Sequence, residues 1–218
     1  MDARLDLSTE KVTYLGQHEN AVSAMNYARE QSTVSDCVRL LFITHSHADV
    51  LITGSWDQSL RFWDPRVETA QVSSHALPER VYHMDLVNNT LVVAMASRLF
   101  HIYDIRKMSE PAQTRESSLK FMTRSLACMA DGQGESVHNV PSTGAQRQPL
   151  VFVAGYAIGS VEGRIGVEYF DPNQEAQDKK YAFKCHRQTI DDIDHVWPVN
   201  ALAFHPVSVH FHFRRKRT

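Results

Sequence analysis

Cysteine is scarce in this chain, and no apolar run approaches the length of a membrane span. Only three cysteines occur, Cys37, Cys128 and Cys185, far apart and without a Cys-x-x-Cys spacing. That pattern argues against a disulfide framework and a structural zinc site, and it fits a reducing compartment. The opening Met1-Asp2-Ala3-Arg4-Leu5-Asp6 carries no signal-peptide core, so a soluble intracellular protein is expected. An excess of one charge is missing too. Lys and Arg number 23 against 25 Asp and Glu, a net charge of -2, so no overall field draws nucleic acid or an acidic membrane. There is no Gly-rich phosphate loop, Ser nucleophile elbow or kinase string, and no residue set stands behind an enzyme reading. Twelve histidines are present, but His45-x-His47 and His210-x-His212 lack a cysteine or carboxylate at zinc-like spacing. No metal and no other cofactor is expected. Asp191-Asp192 reads as the solvated surface of a polar loop.

What the chain does have is strand signal. Hydrophobic residues make up 43% of the sequence, enough for the core of one large domain or two small ones. Ser59-Leu60-Arg61-Phe62-Trp63 is apolar at alternate places, Val92 to Ala96 is a short buried-type run, and Val199 to Phe204 is a further strand candidate. The strands recur in a larger unit. Units close at Trp63-Asp64, Tyr103-Asp104 and Phe170-Asp171; histidine openers His18 and His75 precede the first two, and a further opener, His186, begins a fourth unit. Aromatic-Asp closers roughly 40–45 residues apart with upstream histidines are the pattern of β-propeller blades. The expected fold is therefore all-β, a WD-repeat propeller that is incomplete, with about three blades and part of a fourth. In such a blade the opener His18 and the turn residue Asp57 bond, through a strand Ser or Thr, to the buried Trp63. His18, Asp57, Trp63, Asp64, His75, Asp104 and His186 are accordingly assigned to blade structure.

Two intervals are too long for that period. The surplus falls at 34–48 and 135–155, and removing each segment restores the spacing. Val34-Ser35, Gly134-Glu135-Ser136 and Val207-Ser208 each admit codons that spell a splice donor, while Ala48-Asp49 and Ala154-Gly155 admit an acceptor. Translated introns are the expectation, and ordinary surface loops are the alternative. Residues 1–206 are read as the partial propeller with these two inserts. Residues 207–218 are read as a basic out-of-register tail, in which Arg214-Arg215-Lys216-Arg217 looks like a readthrough product more than an import signal.

With the inserts set aside, the chain resembles the Bub/Rae family of seven-bladed WD-repeat proteins, which comprises a mitotic-checkpoint type and an mRNA-export relative. The resemblance rests on Tyr14 to Glu19, Ile52 to Arg66, Arg115-Glu116-Ser117-Ser118-Leu119-Lys120, Gly159 to Arg164, Val167 to Pro172, Lys180 to Arg187 and Pro198 to Pro206. It covers most of 5–33, 49–134 and 156–206. Glu168-Tyr169-Phe170-Asp171-Pro172 and Lys179-Lys180-Tyr181-Ala182-Phe183 look more like the checkpoint branch. The resemblance implies a scaffold that presents one face to short motifs. Its implied partners are checkpoint kinases carrying a Glu-containing segment and a phosphorylated kinetochore scaffold, with a nucleoporin on the export alternative. It also implies residence in the nucleus, at kinetochores in mitosis and also in the cytoplasm. By motif match Arg187 is the candidate for phosphate contact, Arg164 for a partner Glu, and Trp56 for packing on the peptide. The competing reading pairs Arg164 with Glu162 or Asp171 and gives Trp56 to hairpin packing. The family ring needs seven blades, so an open arc with exposed strand edges and low stability is expected.

Overall fold

Period-two alternation and tight polar turns produce a succession of antiparallel strands. The computed structural model describes residues 2–6, 11–28, 50–67, 69–129, 154–204 and 211–214. It divides into two compact units, residues 1–123 and 124–218. In the first, β1 (Asp2–Asp6) and β2 (Lys11–Gly16) form a ribbon. A four-stranded sheet follows, ordered β3 (Val22–Ala28), β4 (Val50–Ser55), β5 (Ser59–Trp63) and β6 (Gln71–Ala76). A second has β7 (Val81–Val87), β8 (Thr90–Met95), β9 (Leu99–Asp104) and β10 (Gln113–Glu116) in the same sequential order. The other unit holds a third such sheet, β11 (Thr123–Cys128), β12 (Gly155–Ser160), β13 (Arg164–Tyr169) and β14 (Tyr181–Lys184). One helical turn, α1 (Gln174–Gln177), precedes β14. Two ribbons complete the unit: β15 (Arg187–Ile190) with β16 (Ile193–Val196), and β17 (Ala201–Phe204) with β18 (Phe211–Arg214).

Sequential four-stranded meanders are propeller blades, and the joint between one sheet and the next strand is the same in both units. In the first unit the Ser23 hydroxyl donates to the Val81 carbonyl at 2.7 Å. Gly54 leaves the space that the Val81 side chain fills. In the second, Ser125 donates to the Val199 carbonyl at 2.8 Å, and Gly159 makes room for the Val199 side chain. The polar bond satisfies a carbonyl at the packing seam, and the missing Cβ lets the backbones approach. Around the first joint Ile52, Leu60 and Phe62 pack with Met84, Leu91 and Val93, all buried. Each such side chain contributes about 1.5–3 kcal/mol by leaving water. Around the second, Ala157, Ile165 and Val167 pack with Val199, and Leu202 and Phe204 close over them.

The repeat is offset from the sheets by one strand. Trp63, Tyr103 and Tyr169-Phe170 end the third strand of their sheets, and β6, β10 and β14 come after them. The aromatic-Asp pairs therefore do not close blades. The Asp makes the turn into the fourth strand: Asp64 accepts the Arg66 N–H at 2.9 Å, Asp104 that of Arg106 at 3.0 Å, and Asp171 that of Asn173 at 2.9 Å. A carboxylate bonding the amide two residues on is a local turn device, which is why it recurs so regularly. Asp191-Asp192, exposed to solvent, forms the turn between β15 and β16. Both residues have positive φ, 52° and 57°, as a two-residue hairpin connection of β15 and β16 requires.

The segment 34–48 lies outside the described residues. So does 135–155 except for Ala154 and Gly155, and Gly155 pairs with Tyr169 as the first residue of β12. Of the tail 207–218, Phe211–Arg214 pairs with Phe204–Ala201 as β18, and the remainder lies outside.

Candidate functional site

His18 stands just before β3, Asp57 in the turn between β4 and β5, Thr53 on β4 and Trp63 at the end of β5. The Trp63 indole N–H donates to the Thr53 hydroxyl oxygen at 2.7 Å, and Thr53 is 2.7 Å from His18 Nε2. On the other side of the ring, His18 Nδ1 lies 2.8 Å from Asp57 Oδ2. Every partner is satisfied when Nδ1–H donates to Asp57 and the Thr53 hydroxyl donates to Nε2. Burial pushes the Asp57 carboxyl up, but the bonds from Ser59, His18 and the Glu19 N–H outweigh it and hold it at about 2 against an ordinary 3.8. Trp63 also explains Gly16, where any side chain would run into the indole.

His75 takes no such place. It lies within β6, bonded to Ser73 at 3.2 Å and edge-on to Phe62, because the one-strand offset puts it in the outer strand of the first sheet. Position 18 of the first sheet corresponds to the stretch after β6, and not to residue 75. The second sheet uses a different tether. Burial lowers the His101 pKa, and the neutral ring's Nδ1 accepts the Tyr103 hydroxyl at 3.0 Å. In the third sheet Glu168 occupies the place of Trp63, opposite Tyr156 as Trp63 is opposite Leu51. The Tyr156 hydroxyl donates to buried Glu168 at 2.8 Å. Aligning Gly54-Ser55 with Gly159-Ser160 would have found this, since it sets Glu162 on Asp57 and Glu168 on Trp63.

The same alignment locates the arginines. Glu162 lies in the turn between β12 and β13, Arg164 opens β13, and Arg187 opens β15. Glu162 faces both: Arg164 Nε is 3.2 Å from Oε1, and Arg187 Nη2 is 3.6 Å from Oε2. Asp171, the other candidate for Arg164, is engaged in its own turn. The turn is tied to the incoming chain by the Cys185 N–H to the Gly163 carbonyl at 2.9 Å and the Val199 N–H to the Ser160 carbonyl at 3.1 Å. Burial pushes the Cys185 thiol up, and its Sγ–H donates to the same Gly163 carbonyl at 3.2 Å. His186 is buried beside the Pro198 carbonyl, 3.4 Å from Nδ1. The side chains of Arg164 and Arg187 are 38% and 28% exposed against 16% for Glu162. The cations therefore face solvent over a more buried carboxylate.

Trp56 belongs to the first unit. Its backbone N–H is fixed to the Ala21 carbonyl at 3.0 Å, while the residue stays 46% exposed. Among the described residues no group of three or more His, Cys, Asp or Glu is placed to hold a metal, and no helix is long and apolar enough to cross a membrane. His45, His47 and His210 lie outside the described residues.

Repeated four-stranded meanders, a shared joint and the Trp–Thr–His–Asp tether define a WD-repeat protein that holds part of a propeller. No family model matches the chain. It is 41% identical over 208 residues to mitotic checkpoint protein BUB3.1 of Arabidopsis thaliana, covering 94% of this chain and 50% of that one. It is 32% identical over 201 residues to a poly(A)+ RNA export protein of Schizosaccharomyces pombe, covering 92% and 46%. The chain belongs to the Bub/Rae family of WD-repeat proteins. It spans about half the length of the curated relatives it matches. The crystal structure of Chaetomium thermophilum Raptor is similar in fold alone, with a TM-score of 0.52, 18% identity, and 76% of this chain on 13% of that one.

Proposed function

We propose that the chain is a recognition scaffold of the mitotic spindle checkpoint that binds acidic and phosphorylated linear motifs. The observation behind this reading is the convergence of Arg164 and Arg187 on Glu162, two guanidiniums that meet at one carboxylate and stay partly open to solvent. A planar guanidinium makes charge-assisted, bidentate bonds to carboxylate or phosphate. Arg187 takes the phosphate of a kinetochore scaffold peptide, Arg164 takes a Glu of a checkpoint-kinase segment, and Trp56 packs against a bound peptide. The scaffold resides in the nucleus, joins kinetochores in mitosis and also occurs in the cytoplasm. Similarity to checkpoint proteins at up to 41% identity supports this branch. The export relative, at 32% identity, supports the second reading, an adaptor that captures a nucleoporin in mRNA export.

Pulldown with a kinetochore scaffold peptide, phosphorylated and unphosphorylated, tests the choice. Phosphate-dependent capture that Arg187→Ala abolishes is expected. Capture of nucleoporin segments alone would move the chain to the export branch, and capture of neither would end both readings.

A further inference from the structure

We propose that Glu162 is a resident competitor in the arginine site, a carboxylate that a partner's anion must displace. The proposal rests on the reading of Arg164 and Arg187 as anion-binding residues and deepens it. Glu162 already occupies the place between the guanidiniums that a ligand's oxygens would take, 3.2 Å from one and 3.6 Å from the other. Its hold is loose. The Nε atoms of both Arg164 and Arg187 are buried and make no hydrogen bond among the described residues. The pairing is therefore mainly coulombic, without the aligned fork of a bidentate contact. A phosphate or carboxylate entering from solvent can supply that alignment, so exchange of Glu162 for the ligand is favourable. The turn cannot simply swing away. Its Gly163 carbonyl accepts the Cys185 N–H, and its Ser160 carbonyl accepts the Val199 N–H. Glu162 thus remains near the ligand and opposes it by like-charge repulsion. A weakly charged ligand is rejected, and a doubly charged phosphate gains most from the two cations.

The test is binding of a fluorescein-labelled acidic peptide carrying one phosphothreonine, and of its unphosphorylated form, to the full chain and to Glu162→Gln. The variant should bind both peptides more tightly, by roughly two- to fivefold, the scale of one half-exposed charge contact. Its gain should be larger for the phosphorylated peptide, whose greater charge meets the greater repulsion from Glu162, and its affinity should fall more steeply with salt. Glu162→Asp serves as a second variant, because Asp57 shows that this turn position accepts aspartate. A carboxylate one methylene shorter should release one arginine and give a smaller gain. Equal or weaker binding by both variants, with melting unchanged, overturns the proposal and leaves the arginine site standing. Binding by neither the parent nor any variant removes the site and the proposal together. Binding by Glu162→Gln alone, lost again with Arg187→Ala, supports both.

Discussion

Thr53 is the smallest member of the tether and the one on which the others depend. Its hydroxyl links the indole of Trp63 to the ring of His18 inside a buried seam. Thr53→Val keeps the shape and removes both bonds, leaving a buried N–H and a ring nitrogen without a partner. We expect a loss of about 1–3 kcal/mol, read from urea unfolding followed by Trp fluorescence. Asp57 adds a pH dependence. Its folded pKa of about 2 lies below the ordinary 3.8, so its contribution is complete above the unfolded value and disappears as pH falls toward 2. The shift corresponds to about 2 kcal/mol. Parent and Asp57→Asn should differ in unfolding midpoint at pH 6 and converge near pH 2. A constant difference across that range would refute the assignment.

The turn from β12 to β13 shows what a single element must do to build the site. Gly163 has φ +66°, but Gln58 holds nearly the same angle, 63°, at the matching place between β4 and β5. Left-handed backbone alone therefore does not demand glycine here. Close approach does: a Cβ at 163 would stand 2.8 Å from the carbonyl oxygens of both His186 and Trp197. Those carbonyls belong to the segments that carry Arg187 and Val199. Gly163→Ala should push them apart, lowering stability by about 1–3 kcal/mol and weakening acidic-peptide binding by more than stability explains. Chemical denaturation and peptide anisotropy on the same protein separate the two effects. Unchanged binding would mean that Arg187 reaches its place without this turn.

Across the molecule, the exposed apolar side chains matter more than any one bond. Met25 and Tyr27 on β3 are 64% and 54% exposed, and Tyr14 on β2 is 70% exposed. Exposed apolar side chains two apart on one strand, as at Met25 and Tyr27, favour contact with another protein surface. We expect the purified chain to self-associate with rising concentration in sedimentation velocity and to bind an apolar dye. The double variant Met25→Lys, Tyr27→Lys should do both less, with its far-ultraviolet circular dichroism intact. A parent chain that stays monomeric at high concentration would contradict this.

The period of the strands, the recurrence of the aromatic-Asp pairs, and the pairing of His18 with Asp57 and Trp63 could be read along the chain, whereas the part Asp64, Asp104 and Asp171 take in the turn into a fourth strand could not. Each of the first three depends on short-range hydrogen bonds or on a repeat spacing that the residue order itself carries. The place of His75 could not be read this way, because the sheets are offset from the repeat by one strand and only their register shows which strand a histidine joins. The buried Tyr156–Glu168 pair fills with different chemistry the position that Trp63 holds in the first sheet, and in the sequence only the internal alignment of Gly159-Ser160 on Gly54-Ser55 points to it. Arg187 meets Glu162 only because the backbone at Gly163 packs against the segment around His186 and Trp197. That approach is set by close packing between distant parts of the chain, and no local pattern encodes it.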